Sequence, residues 1–196
     1  MDIDRKDEDL RAIERVQAGE IKAFEFLVSK YQKKIYFLAL RMTKNHDMAD
    51  ELAQESFVKA FVSLASFQKG RSFYTWLYRI AINVVLNYLK HKSFTVSLDT
   101  PSGRAFLENV PESPEQLTRL IDREQMEVFQ KALDRLPAAQ RAIFILKTHD
   151  HLSYEKIAEI MDCSVGTVMS RLFRARAKIR IAMAEIDKKK NGKLQK

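Results

Sequence analysis

Between Arg71 and Arg79 the sequence reads RSFYTWLYR, which sets four aromatic side chains, Phe73, Tyr74, Trp76 and Tyr78, between two guanidinium groups. Aromatic faces stack on unpaired bases and arginines neutralise phosphates, so the pattern suits capture of a single nucleic-acid strand. It suits equally a helix that buries its aromatics against a core. Helical phase divides the stretch. Trp76 aligns with Ile80 and Asn83, and Leu77 with Ala81 and Val84, which assigns Trp76 and Leu77 mainly to the core. Phe73 and Tyr74 are expected at the loop edge and Tyr78 at the rim, with Arg71 and Arg79 as candidate phosphate contacts.

A second constellation lies further on, in SYEKIAEIMDCSVGTVMSRLFRARAKIR from Ser153. Ser153 can cap a helix whose first turn carries Glu155, favourable at the positive end of the helix dipole. Ile157, Ala158, Ile160 and Met161 give that helix a buried side, and the small Ala158 admits a close neighbour. Asp162 and Cys163 form a short turn, and Ser164 can cap a second helix with Val165, Val168, Leu172, Ala175 and Ile179 as its buried stripe. Thr167, Ser170, Arg171 and Arg174 then project from the other side. Between Cys163 and Ala184 stand Arg171, Arg174, Arg176, Lys178 and Arg180, and no acid. A helix so one-sided in charge suits the DNA major groove, where arginine bridges the two acceptors of guanine and a hydroxyl meets a base edge or phosphate.

Other residues capable of chemistry are fewer. Asp50, Glu51, Gln54 and Glu55 share the outer face of a helix, either as a solvated surface or as a dock for a basic partner helix. The histidines are scattered, and THDH at 148–151 is the one tight cluster, without the carboxylate array a two-metal nuclease needs. No metal or cofactor is expected. Cys163, the sole cysteine, excludes an internal disulfide and a cysteine-rich zinc site, and fits a small residue at the turn.

The elements that position these groups follow from composition and period. The chain has 196 residues, of which 46% are hydrophobic, and only five glycines and four prolines, with apolar spacing of three and four throughout. It therefore reads as all-α: two small helical domains joined by an irregular linker. The expected division is 1–94, a linker at 95–114 holding three of the prolines, a second domain at 115–187, and a basic flexible tail at 188–196. In the first domain, Leu10, Ile13 and Val16 mark a short helix that can end at Gly19. A second helix turns Phe24, Leu27, Val28, Tyr31, Ile35 and Leu38 inward. A third, capped near Asn45 or Asp47, buries Ala49, Leu52, Ala53, Phe57, Ala60, Phe61 and Leu64. A net charge of +8 and a pI near 9.5 favour a polyanionic partner. No stretch approaches the length needed to span a bilayer, and a cytoplasmic protein is expected.

Three stretches taken together resemble the extracytoplasmic-function sigma factors of the sigma-70 family, nearest the sigma-E type: DELAQESFVKAFVSLASF at 50–67, RSFYTWLYRIAIN at 71–83 and LSYEKIAEIMDCSVGTVMSRLFRAR at 152–176. The resemblance implies a transcription initiation factor and not an enzyme. Its first domain would be a region 2 helical bundle that binds the clamp helices of the polymerase beta-prime subunit and captures the melted minus-10 element. Its second would be a region 4 helix-turn-helix that reads the minus-35 duplex and sits on the beta flap. By motif position Lys147, Tyr154, Gly166, Thr167, Ser170, Arg171, Phe173 and Arg174 match minus-35 contacts. Ser63, Phe67, Arg71, Phe73, Tyr74 and Asn83 fall at the minus-10 pocket and its walls, while Asp50, Glu51, Gln54 and Glu55 match the core-docking face.

The resemblance further implies core RNA polymerase, promoter DNA and a membrane-linked anti-sigma factor as partners, in an extracytoplasmic or envelope stress response. One position departs from the family pattern: Met169 stands where GTVRSR or GTVKSR puts a basic residue. An ordinary dimeric helix-turn-helix regulator would explain residues 153–180 but neither the acidic helix face nor the aromatic loop.

Overall fold

The computed structural model describes residues 2–68, 70–95, 126 and 128–191. Among them every regular element is helical: α1 (Asp2–Gln17), α2 (Phe24–Thr43), α3 (His46–Ser63), α4 (Phe73–Thr95), α5 (128–134), α6 (Ala138–Thr148), α7 (Tyr154–Met161) and α8 (Val165–Asn191). Single 3-10 turns at Ile21–Ala23 and Leu64–Ser66 link α1 to α2 and end α3. The linker expected at 95–114 lies, beyond Thr95, outside the described residues. So do 115–125 and the last part of the tail. The tail does not begin at Lys188, because α8 continues to Asn191 through residues that contain no glycine or proline.

Local sequence explains the helix ends. Gly19 sits at φ +99° just past α1, a conformation that costs glycine little. Asn45 caps α3 by accepting from the Met48 amide at 2.8 Å. In the first half, α2 and α3 lie side by side with α4 packed across both. Leu27, Tyr31, Ile35 and Leu38 of α2 meet Ala49, Leu52, Phe57 and Ala60 of α3 in the interior. The buried acid of this core, Asp9, accepts from the Tyr31 hydroxyl at 2.5 Å and from Lys30 Nζ at 2.8 Å, so its charge is paired.

Phe61 departs from the expected stripe. It ends 37% exposed, edge-on to Phe24 at 5.2 Å, because the inner positions here are already filled by Phe57 and Ala60 of α3 and by Leu64 of the following 3-10 turn.

The two halves pack against each other. α7 lies along α4, α6 touches α2, and the buried side chains of both halves form one continuous cluster. Around its edge Arg79 pairs with Asp162 at 2.5 Å, Arg41 with Asp150 at 3.7 Å, and Lys44 with Asp134.

Candidate nucleic-acid interface

The helix-turn-helix forms where its caps place it. Ser153 Oγ accepts from the Lys156 amide at 3.3 Å, and Asp162 closes α7 in the left-handed region at φ +50°. The Cys163 amide then donates back to the Ala158 carbonyl at 3.0 Å. Ser164 opens α8, accepting from the Thr167 amide at 3.1 Å and meeting the Thr167 hydroxyl at 2.9 Å. Val168, Leu172, Ala175 and Ile179 are buried, with Ile157, Ala158 and Ile160 in the same cluster. Gly166, Ser170, Phe173 and Arg174 are exposed, while Thr167, Arg171 and Tyr154 are half-buried.

Two cations of this surface are held in place. Arg174 donates to the Ser170 carbonyl at 3.2 Å and to its hydroxyl at 3.3 Å, which aims the guanidinium along the outer face. Lys147 lies 4.7 Å from the Tyr154 ring and donates to the Leu152 carbonyl at 3.0 Å. Its charge is thus fixed beside the start of α7. Glu155, in the same turn, has its carboxyl lowered by the α7 backbone amide and the Ser153 hydroxyl.

The aromatic stretch is arranged differently from its expected division. Phe67 and Phe73 are buried, and with half-buried Trp76 they form a cluster with ring centroids 5.3 to 5.9 Å apart. Phe73, expected at the loop edge, is inside, while Trp76, expected mainly in the core, packs half-buried against it. Tyr78 is not at the rim but buried, because the second half covers it, and burial pushes its phenol far above the ordinary range. Half-buried Tyr74 stacks on it at 4.3 Å, and Lys34 lies 5.2 Å from the Tyr74 ring. Arg71 and Asn83 are exposed and Ser63 is half-buried. Arg79 is committed to Asp162 in the helix-turn-helix turn.

Both halves of the chain have counterparts in known proteins. The family description "Sigma-70 region 2" matches residues 27–95, and "Sigma-70, region 4" matches residues 126–179. The ECF RNA polymerase sigma-E factor of Haemophilus influenzae is 42% identical over 87% of this chain and 93% of its own length. The chain belongs to the ECF sigma factors of the sigma-70 family. The Escherichia coli K12 sigma-E factor is likewise 42% identical, over 85% of this chain and 90% of its own. A solved structure of the sigma factor RpoE with the anti-sigma factor NepR from Bartonella quintana matches with a TM-score of 0.61 and 26% identity, covering 83% of this chain and 98% of that one.

In region 2 of this sigma factor the acidic row is as exposed as its phase demands. Gln54 donates to Asp50 at 2.8 Å, and Glu55 pairs with Lys59 at 2.6 Å. Asp50 and Gln54 of this row line a groove between α2 and α3 whose lining also includes Val28, Tyr36, Phe37, Phe57 and Val58. Sequence reasoning missed the exposed Phe37 and Val58. Val58 and Val62 carried the signal, being apolar residues off the buried phase of α3.

The THDH cluster has an electrostatic role. Asp150 faces Arg41, and one of its oxygens is buried without a hydrogen-bond partner, so burial raises its carboxyl although Arg41 opposes the shift. Burial, then Arg41, holds His149 below its ordinary value. No group of three metal-ligating side chains occurs among the described residues.

Proposed function

We propose that this sigma factor brings core RNA polymerase to promoters through three surfaces. The outer face of α8 reads the minus-35 duplex, with Thr167, Ser170, Arg171, Phe173 and Arg174 at the bases and phosphates, and with Gly166, Tyr154 and Lys147 along the backbone path. The end of α3 and the start of α4 hold the melted minus-10 strand. Asn83, three turns into α4, offers a donor and an acceptor to a flipped base, with Ser63 and Arg71 as flanking contacts and Tyr74 at the wall, which buried Phe67 and Phe73 back from inside. The row Asp50, Glu51, Gln54 and Glu55, with the apolar groove beside it, docks on the beta-prime clamp helices, while region 4 rests on the beta flap. Melting needs no hydrolysis by this chain, since contacts available only to the open strand shift the equilibrium toward it, and the protein is not an enzyme.

The observation that carries the reading is the acid-free stretch of α8 from Val165 to Ala184, with exposed Arg174 braced on Ser170 along its outer face. The protein acts in the cytoplasm, where polymerase and chromosome are. An anti-sigma factor linked to the membrane restrains it until an envelope stress releases it; the anti-sigma complex of its structural relative supports such a partner. The test is run-off transcription with core RNA polymerase and a library of random upstream DNA. The chain is expected to confer initiation at a defined pair of elements. Transcripts identical with and without the chain would overturn the reading. Charge reversal at Glu51 and Glu55 should abolish core binding yet leave upstream-duplex binding intact.

A further inference from the structure

The outer face of α8 has two flanks of different chemistry. On one, Arg171, Arg174 and Lys178 follow one another at helical spacing. On the other, Met169 is 53% exposed and Phe173, one turn later, is 72% exposed. Side chains four apart on a helix stand about 5 to 6 Å apart at Cβ, so the two make one apolar patch. Gly166, which has no side chain, and the small Ser170 lie between the flanks and let the helix axis come close to a groove floor.

An exposed thioether and phenyl would ordinarily suggest a protein partner. Here the same helix carries five cations and no acid between Cys163 and Ala184, so the surface around the patch is complementary to a polyanion.

We propose that Met169 is a specificity residue for the upstream element and selects thymine by its 5-methyl group, with Phe173 as the neighbouring wall; this rests on the promoter-reading function proposed above. Thymine is the one base that presents a methyl group in the major groove, and apolar side chains are what meet it there. The thioether is flexible and polarisable, which suits it to a small apolar knob. Met169 also discriminates by what it lacks. A guanine opposite it would lose water from O6 and N7 and gain no donor in return, which disfavours that base. An arginine at the same position would reverse the preference, since it bridges those two acceptors.

The test uses the full-length chain bound to core RNA polymerase. Upstream elements are first selected from random duplex, and each thymine is then replaced singly by deoxyuridine, which removes only the methyl group. At one position the loss is expected to weaken holoenzyme binding about fourfold, the effect of uncovering one methyl-sized group. Met169→Ala should bind thymine and deoxyuridine equally at that position, and Met169→Arg should select guanine there. Because the side chain is exposed, both variants should retain the parent's helicity and thermal midpoint. Equal binding of thymine and deoxyuridine at every position would overturn the proposal, as would an undiminished methyl effect in Met169→Ala. If a defined element is selected without methyl dependence, the assignment of Met169 falls and the promoter-reading function stands. If no element is selected at all, both fall.

Discussion

Arg174 meets solvent already oriented, because two hydrogen bonds to Ser170 restrict its rotamers before any ligand arrives. A pre-ordered guanidinium loses little further entropy on bridging a base, so its removal should be felt as lost selectivity. Arg174→Ala is expected to cost about 1 to 3 kcal/mol of discrimination at one upstream base pair and to leave core binding unchanged, as a duplex competition assay would measure. Asp150 shows the opposite economy. Burial raises its carboxyl above its ordinary 3.8, and Arg41, 3.7 Å away, compensates in part. The folded chain therefore holds this proton where the unfolded chain has released it. The resulting stability is complete below about pH 3.8 and is lost as pH rises through the raised value. His149 runs the other way: held below its ordinary 6.5, it lowers stability as pH falls from there. Asp150→Asn should stay within about 1 kcal/mol of the parent at neutral pH and remove the first contribution from the acid-side slope. Arg41→Ala, which strips the carboxylate of its nearest cation, should cost about 1 to 3 kcal/mol. Urea unfolding between pH 4 and 8 reads both, and a more damaging Asp150→Asn would show that the ion pair outweighs the burial.

At the scale of elements, α8 depends on one serine to start. Ser164 satisfies the Thr167 amide at a helix end whose following residues must be rigid to read a groove. Ser164→Ala is expected to cost about 1 kcal/mol of stability and to weaken upstream-duplex binding with it; Ser164→Asp, which can also cap, should restore both. An unaffected midpoint in Ser164→Ala would show that packing alone positions the helix. Features of this kind were legible in the sequence. The caps Asn45, Ser153 and Ser164, the turn at Asp162 and Cys163, the buried stripe of α8 and the outward acidic row all follow from local rules. The aromatic stretch was less legible for a physical reason. Helical phase gives the side of a helix that is buried, but not what covers the remaining sides. Tyr78 is buried because α7, far along the chain, lies on α4, and Phe73 because Phe67 folds back over it from the preceding loop. The groove between α2 and α3 was hidden likewise, since Phe37 and Val58 come from different helices and meet only in the fold.

On the promoter-reading function proposed above, the two surfaces cannot engage both promoter elements at once in the arrangement described. A folded chain of this length has a radius of gyration of about 16 Å, hence a span of about 40 Å. Elements centred about 25 base pairs apart are separated by about 85 Å at 3.4 Å per base pair. The two halves must therefore part before α8 and the α3–α4 surface engage one promoter together. The chain length between Thr95 and Met126 corresponds to about 100 Å if fully extended. What must be undone is the seam of α7 on α4 and the three ion pairs at its edge. Of these, Arg79 with Asp162 is open enough to solvent to weaken as salt rises. An anti-sigma partner that favoured the packed arrangement would silence both readers through one equilibrium. Fluorescent labels at Asn87→Cys on α4 and Ile181→Cys on α8, in a Cys163→Ser background, place one dye on each half at exposed positions. Energy transfer should be high in the free chain and fall when core polymerase and promoter are added. Arg79→Glu, which sets two like charges together at the seam, should lower transfer in the free chain as well. If transfer in the promoter complex equals that of the free chain, the halves do not separate, and the two surfaces cannot be acting on one promoter at once.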